Sequence, residues 1–277
     1  QDVELGIDSG SLGWNGRLHS DVSACFLSDR RRDELGPDYV VSCYPDFDGT
    51  TPTEFVIVST EDDNEIEIIP STLTQGLHPA GIPFTITLDE GQSYQVKATG
   101  DLSGTFVSSL SSLDLAVFSG AQQANVGPCT GAADSHLYDQ AQPTDQWEDL
   151  FHFVPFSGQG QDPVVIVAAD DNTSVFFDCE LVAQLDAGNV FSSELGQPTI
   201  ISASGAISVA QLNSSQDCNP SGIGDPNMIQ LFPASRQLSE IRISSPDAPP
   251  GVPGNYISTH YLNLVILTTA IGDVTLD

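Results

Sequence analysis

Phe55-Val-Ile-Val-Ser-Thr-Glu-Asp-Asp-Asn64 returns 108 residues later as Pro163-Val-Val-Ile-Val-Ala-Ala-Asp-Asp-Asn172. Each copy is a run of β-branched residues, the kind that suits the pleated, half-buried surface of a strand. Each runs into Asp-Asp-Asn, whose short side chains tolerate left-handed backbone and bond to nearby amides. A second strand-like run follows in both copies, so each reads as a hairpin. The echo continues downstream. Leu88-Asp-Glu-Gly91 is answered by Leu185-Asp-Ala-Gly188, and Leu113-Asp-Leu-Ala-Val-Phe118 by Gly205-Ala-Ile-Ser-Val-Ala210. A third start stands at Leu264-Val-Ile-Leu267, followed by Gly272-Asp-Val-Thr-Leu276.

Between these landmarks the vocabulary is the same. Tyr39-Val-Val-Ser-Cys43, Glu65-Ile-Glu-Ile68, Phe84-Thr-Ile-Thr-Leu88, Tyr94-Gln-Val-Lys97 and Thr105-Phe-Val-Ser108 are short β-branched or aromatic runs bounded by turn residues. Apolar residues seldom recur at helical spacing, and 24 Gly and 18 Pro punctuate the chain too often for long helices. A period of about 100 residues with about seven strands is the size of an immunoglobulin-like sandwich. The expected fold is therefore all-β, with tandem antiparallel β-sandwich-like repeats, the third incomplete. The expected divisions are an N-terminal extension (1–36), a first repeat with its linker (37–146), a second repeat (147–232) and a partial third (233–277). A sandwich that lacks strands exposes apolar faces and backbone edges. Either the N-terminal extension covers them, or a strand from another chain does.

Composition narrows the function. Seven Lys+Arg against 38 Asp+Glu give a net charge of −31, which excludes a surface built to neutralise nucleic-acid phosphates. The longest apolar runs, Val164 to Ala169 and Leu262 to Leu267, fall far short of the roughly 20 residues of a membrane-spanning helix. The chain opens on Gln1, as a mature exported protein would after loss of its leader. Its five cysteines form no C-x-x-C pair, so they read as disulfides of an extracellular protein and not as a zinc site. Nearest neighbours in sequence give Cys25–Cys43 and Cys179–Cys218, with Cys129 left over.

Signs of catalysis are sparse. There is no Gly-x-Ser-x-Gly elbow and no phosphate-cradling glycine loop. His136, with Asp134 and Asp139 nearby, is the closest approach to an acid–base set. Asp46-Phe-Asp48-Gly49 with Glu54 looks like a fragment of a calcium loop without its third acidic position and its terminal Glu. No cofactor is expected, and calcium is the one alternative. Asn172-Thr-Ser174 and Asn213-Ser-Ser215 are glycosylation sequons.

Several segments, taken in order, resemble the N-terminal domain of the IgGFc-binding proteins in its bacterial surface form. They are Asp38 to Ser42, Phe55 to Asn64, Leu88 to Gln92, Asp101 to Thr105, Ala116 to Gly120, and Ala124-Asn-Val126 with Cys129. His136-Leu137 with Gln140, Pro143 and Trp147 follows, then Gly224-Asp-Pro226 and Tyr261-Leu-Asn263. Ser135 stands where the family often has a cysteine. The resemblance implies a non-enzymatic module at the cell exterior that holds a protein or glycan ligand, or copies of itself. Binding residues concentrate on exposed connections, so the expected binding loop comprises Asn125, His136, Gln140 and Trp147. Two other functions compete: a subunit of an extracellular filament assembled by strand complementation, and a secreted hydrolase using paired carboxylates.

Overall fold

The computed structural model describes residues 35–46, 49–127, 134–222, 225–236 and 265. Almost all of the N-terminal extension and of the partial third repeat, with Cys25, Cys129 and Asp48, lie outside them. Every described element longer than a single 3-10 turn is a strand, and every pairing is antiparallel. Each of the seven strand-like runs up to Phe118 falls on a strand: β1 (Asp38–Val40), β2 (Thr53–Ser59), β3 (Asn64–Ile69), β4 (Phe84–Leu88), β5 (Ser93–Ala98), β6 (Phe106–Ser109) and β7 (Leu115–Ala124). β8 (Ser135–Gln140) completes the first half. The second half is β9 (Glu148–Phe153), β10 (Asp162–Ala168), β11 (Thr173–Phe177), β12 (Glu180–Leu185), β13 (Val190–Leu195), β14 (Thr199–Asn213) and β15 (Asn227–Gln230).

The first half packs the sheet β1-β6-β3-β4 against the sheet β5-β2-β7-β8. Phe55 and Ile57 from one sheet and Ile66, Ile68 and Val107 from the other fill the space between them. The second half repeats this order. The early part of β14 pairs with β9 and β11, and β11 with β12; the later part pairs with β10 and β15, and β10 with β13. A single 15-residue strand thus serves both layers where β6 and β7 serve them separately. A third apolar cluster joins the halves, with Val40, Leu137 and Trp147 against Val165, Leu212 and Met228. There β8 runs beside β15, and the Gln230 N–H donates to the buried Asp139 Oδ2 over 2.6 Å.

The Asp-Asp-Asn turns are not hairpins. β2 pairs with β5 and β7 while β3 pairs with β4 and β6, so the turn carries the chain from one layer to the other. Apolar side chains on the two flanking strands point into one core from opposite layers. The left-handed conformation expected there is present at Asp63 (φ 56) and Asn172 (φ 59). These two residues are 109 positions apart, one more than the period of the matching letters. Inward-facing Phe55 and Ile57 accordingly correspond to Val164 and Ile166.

The two families of echoed turns meet in space. The Asp63 N–H donates to Asp89 Oδ1 and the Glu90 N–H to Asp62 Oδ1. In the second half the Asn172 N–H donates to Asp186 Oδ1 and the Ala187 N–H to Asp171 Oδ1. Two carboxylates in each half, four in all, thus cap the turns.

Neither expected disulfide is present. Cys43 and Cys179 are free thiols, and Cys218 is disulfide-bonded to a partner outside the described residues. Nearness in sequence does not decide the pairing, which needs the two Cβ atoms to meet in the folded chain. Cys43 is fully buried in the first core, its Sγ donating to the Glu54 carbonyl, and burial holds its thiol well above the usual range. Cys179 sits exposed, in left-handed backbone (φ 72), at the tip of the β11–β12 hairpin. Titration with a thiol reagent should label Cys179 at once in the native protein and Cys43 only after denaturation, because reagent access follows exposure and thiolate formation follows pKa.

Candidate binding surface

The outer side of the β5-β2-β7-β8 sheet gathers polar and aromatic side chains into one row. Lys97 on β5 is the Cα partner of Glu54 on β2, Glu54 of Gly120 on β7, and Gly120 of Tyr138 on β8. Gly120 has no side chain, so the groups on either side of it face one another across the sheet. Glu54, nearly buried, receives Lys97 Nζ at 3.1 Å and Gln95 Nε2 at 3.0 Å on one carboxylate oxygen. His136 Nδ1 lies 3.7 Å from the other. Lys97 is the chain's single lysine. Because the carboxylate is desolvated, removing Lys97 would leave an uncompensated charge and cost more than breaking an exposed ion pair.

Beside this pair runs an aromatic ladder. The rings of His136 and Tyr138 stack with centroids 5.4 Å apart, and those of Tyr138 and Phe118 with centroids 5.3 Å apart and planes within 2°. The ladder is anchored at the Phe118 end, where Leu35 and Ala116 bury it together with Val58. It is open at the His136 end, where the side chain is 39% exposed. Burial, and secondarily the Glu54 charge, raises the Tyr138 hydroxyl above its ordinary range, so it remains a proton donor through any physiological pH.

Of the four residues expected to form a binding loop, only His136 reaches the surface. His136 and Gln140 belong to strand β8, and Gln140 is buried. Trp147 is buried in the cluster between the halves, its indole N–H donating to the Gln142 carbonyl. Asn125 is buried beside Asp46, whose Oδ1 accepts its backbone N–H over 2.8 Å. Lys97, Glu54 and Tyr138 of this row were not in that expected set. Alternation along β2, β5 and β8 is the signal that places them on one side of a sheet.

Of the residues of the expected calcium loop, Asp48 lies outside the described residues, and Asp46 and Glu54 each have protein partners. Asp46 binds the Asn125 amide and the Thr50 hydroxyl, and Glu54 is committed to Lys97 and Gln95. Among the described residues no three His, Cys, Asp or Glu are grouped to hold a metal ion. Of the sequons, Asn172 is exposed in its turn, whereas Asn213 is buried with its Nδ2 donating to the Asp225 carbonyl. A glycan on Asn213 would have to displace that bond.

A groove of about 440 Å³ runs between the two halves, with Asp38, Asp145 and Asp170 among its lining residues alongside Tyr39 and Phe106. No described helix is long and apolar enough to cross a membrane.

Comparison with known proteins agrees with this picture. No curated protein and no solved structure matches the chain. The model of the IgGFc binding protein family matches residues 31–277, which spans both sandwiches and all of the surface described above. The chain belongs to the IgGFc binding protein family.

Proposed function

We propose that this chain is a non-catalytic, extracellular protein-binding module, and that it holds its partner on the open end of the aromatic ladder. The observation that carries this reading is the juxtaposition of the His136–Tyr138–Phe118 stack with the Glu54–Lys97 pair on one solvent-facing sheet. Aromatic rings held rigid by stacking offer large contact area at small entropic cost, and a desolvated charge pair beside them supplies orientation. Membership of a family whose name states antibody-Fc binding supports a protein ligand over a small molecule. The protein serves adhesion, holding a cell surface to matrix, mucus or a neighbouring protein.

Surface plasmon resonance against three immobilised proteins tests this: an immunoglobulin G Fc fragment, a purified mucin, and the chain itself. Binding to at least one is expected, and His136→Ala and Tyr138→Ala should each weaken it about tenfold, the ordinary loss for an aromatic contact of about 1.4 kcal/mol. Binding that both variants leave unchanged, or no binding to any of the three, overturns the assignment.

A further inference from the structure

The apolar interior of the second sandwich ends in a row of oxygen atoms. Val164 and Ile166 on β10 and Ile207 and Val209 on β14 face that core. Alternation carries the same face on to Asp162 at the start of β10 and to Gln211 and Asn213 at the end of β14. Asn227 on β15 is the Cα partner of Asn213 and joins them. Asp162 is 0% exposed and Asn213 is 9% exposed.

Part of the row's bonding is satisfied. Asp162 Oδ2 accepts from the Phe156 N–H at 2.6 Å and from Gln211 Nε2 at 2.8 Å. Gln211 Nε2 also donates to the Val154 carbonyl. The bond from Asn213 Nδ2 to the Asp225 carbonyl fixes which way that amide points. What remains is acceptors alone. Asp162 Oδ1, Asn213 Oδ1 and Asn227 Oδ1 are buried and receive no hydrogen bond among the described residues, and Gln159 Oε1, in the connection leading into β10, is a fourth. Gln230 Nε2, the nearest such donor in sequence, belongs to the opposite face of β15, since Gln230 pairs with Ala210 on the side toward the first half.

Buried acceptors without donors are rare in folded proteins because each forfeits its hydration. A single water has two hydrogens and serves two of the four. A hard cation takes about six to eight oxygen acceptors at once. We propose that this row is a calcium site, with Asp162, Asn213 and Asn227 as side-chain ligands and Gln159 contributed by the adjoining loop. One carboxylate with neutral amide oxygens, and no nitrogen or sulfur, is a donor set for a hard cation. Calcium fits better than magnesium, which keeps its waters and requires near-octahedral geometry that strand-borne ligands do not easily meet. The ligands span 159 to 227 in sequence, so no local motif announces them.

The test uses the intact chain, stripped with a chelator and held at about 150 mM NaCl so that screening of its large negative charge is constant. With calcium about a hundredfold above a Kd of about 0.1 mM, the melting temperature should rise by about 5 °C or more, and much less with magnesium. Calorimetry should count one calcium per chain. Asp162→Asn and Asn227→Ala should each abolish the response, while Glu180→Gln, on the exposed start of β12, keeps it. Equal shifts with calcium and magnesium, or a full calcium response in Asp162→Asn, overturn the site. Because the readout is cation-linked stability, it is independent of whether the aromatic ladder binds a protein.

Discussion

Gly120→Ala is expected to lower stability by about 3 kcal/mol or more and to abolish binding at the aromatic ladder, whereas Gly91→Ala costs only about 1 kcal/mol. A Cβ on Gly120 would lie 1.9 Å from the Leu137 carbonyl oxygen, 2.5 Å from its carbon and 3.0 Å from the Tyr138 nitrogen. All three are backbone atoms, so no rotamer change relieves the overlap. β7 or β8 must move, and β8 carries His136 and Tyr138 while packing against β15 of the second half. Gly91 is the control. Its φ is +76, but an added Cβ would meet nothing within 4 Å, so Ala there costs only the left-handed backbone. Denaturant midpoints of the two variants separate the clash from the strain. Similar losses for both would show that β8 is free to shift, and would weaken the case for a rigid binding surface.

Asp162→Asn is expected to raise stability in chelator at pH 7 by about 3 kcal/mol, a gain that disappears below about pH 4. Burial pushes the Asp162 carboxyl up to about 6 from 3.8, against the lowering effect of its bonds to Phe156 and Gln211. With the folded value raised, the folded state binds more protons than the unfolded state between those two values. The carboxylate therefore costs nothing below about pH 4, and its penalty grows as pH rises and is complete above about 6. Asparagine presents an oxygen to Phe156 and Gln211 and an NH2 where Oδ1 stood, toward acceptors that lack a donor. Chemical denaturation of both forms across pH 3.5 to 8 in chelator measures the difference. A variant less stable than the parent at pH 7 would mean that the charged form is favoured there by something other than a bound cation.

Much of the fold was legible because strand alternation and turn chemistry are local. The β-branched runs from Phe55 and Val164 and the left-handed turns at Asp63 and Asn172 need no distant partner to be recognised. The errors share one cause, which is that pairing is not local. Whether β2 and β3 form a hairpin or an arch depends on which strands each one pairs with, and the left-handed turn residues repeat at 109 where the matching letters repeat at 108. Neither of the cysteine pairs nearest in sequence is bonded, and Trp147, a surface anchor by composition, is spent on joining the halves.

The binding surface shows the same division. His136 stood out as a residue type, but its neighbours are fixed by register: Lys97, Glu54 and Tyr138 come from three strands spread over more than 80 positions and meet only because β5, β2, β7 and β8 align. The sequence by itself determined an all-β chain with a large negative charge, a repeated strand-turn unit and membership in a binding family. Only the tertiary structure decided which carboxylates cap turns, which one meets the single lysine, and which one is left with an unpaired oxygen at the end of a core. Composition and periodicity are properties of neighbours along the chain, whereas burial and pairing belong to strands brought together across it.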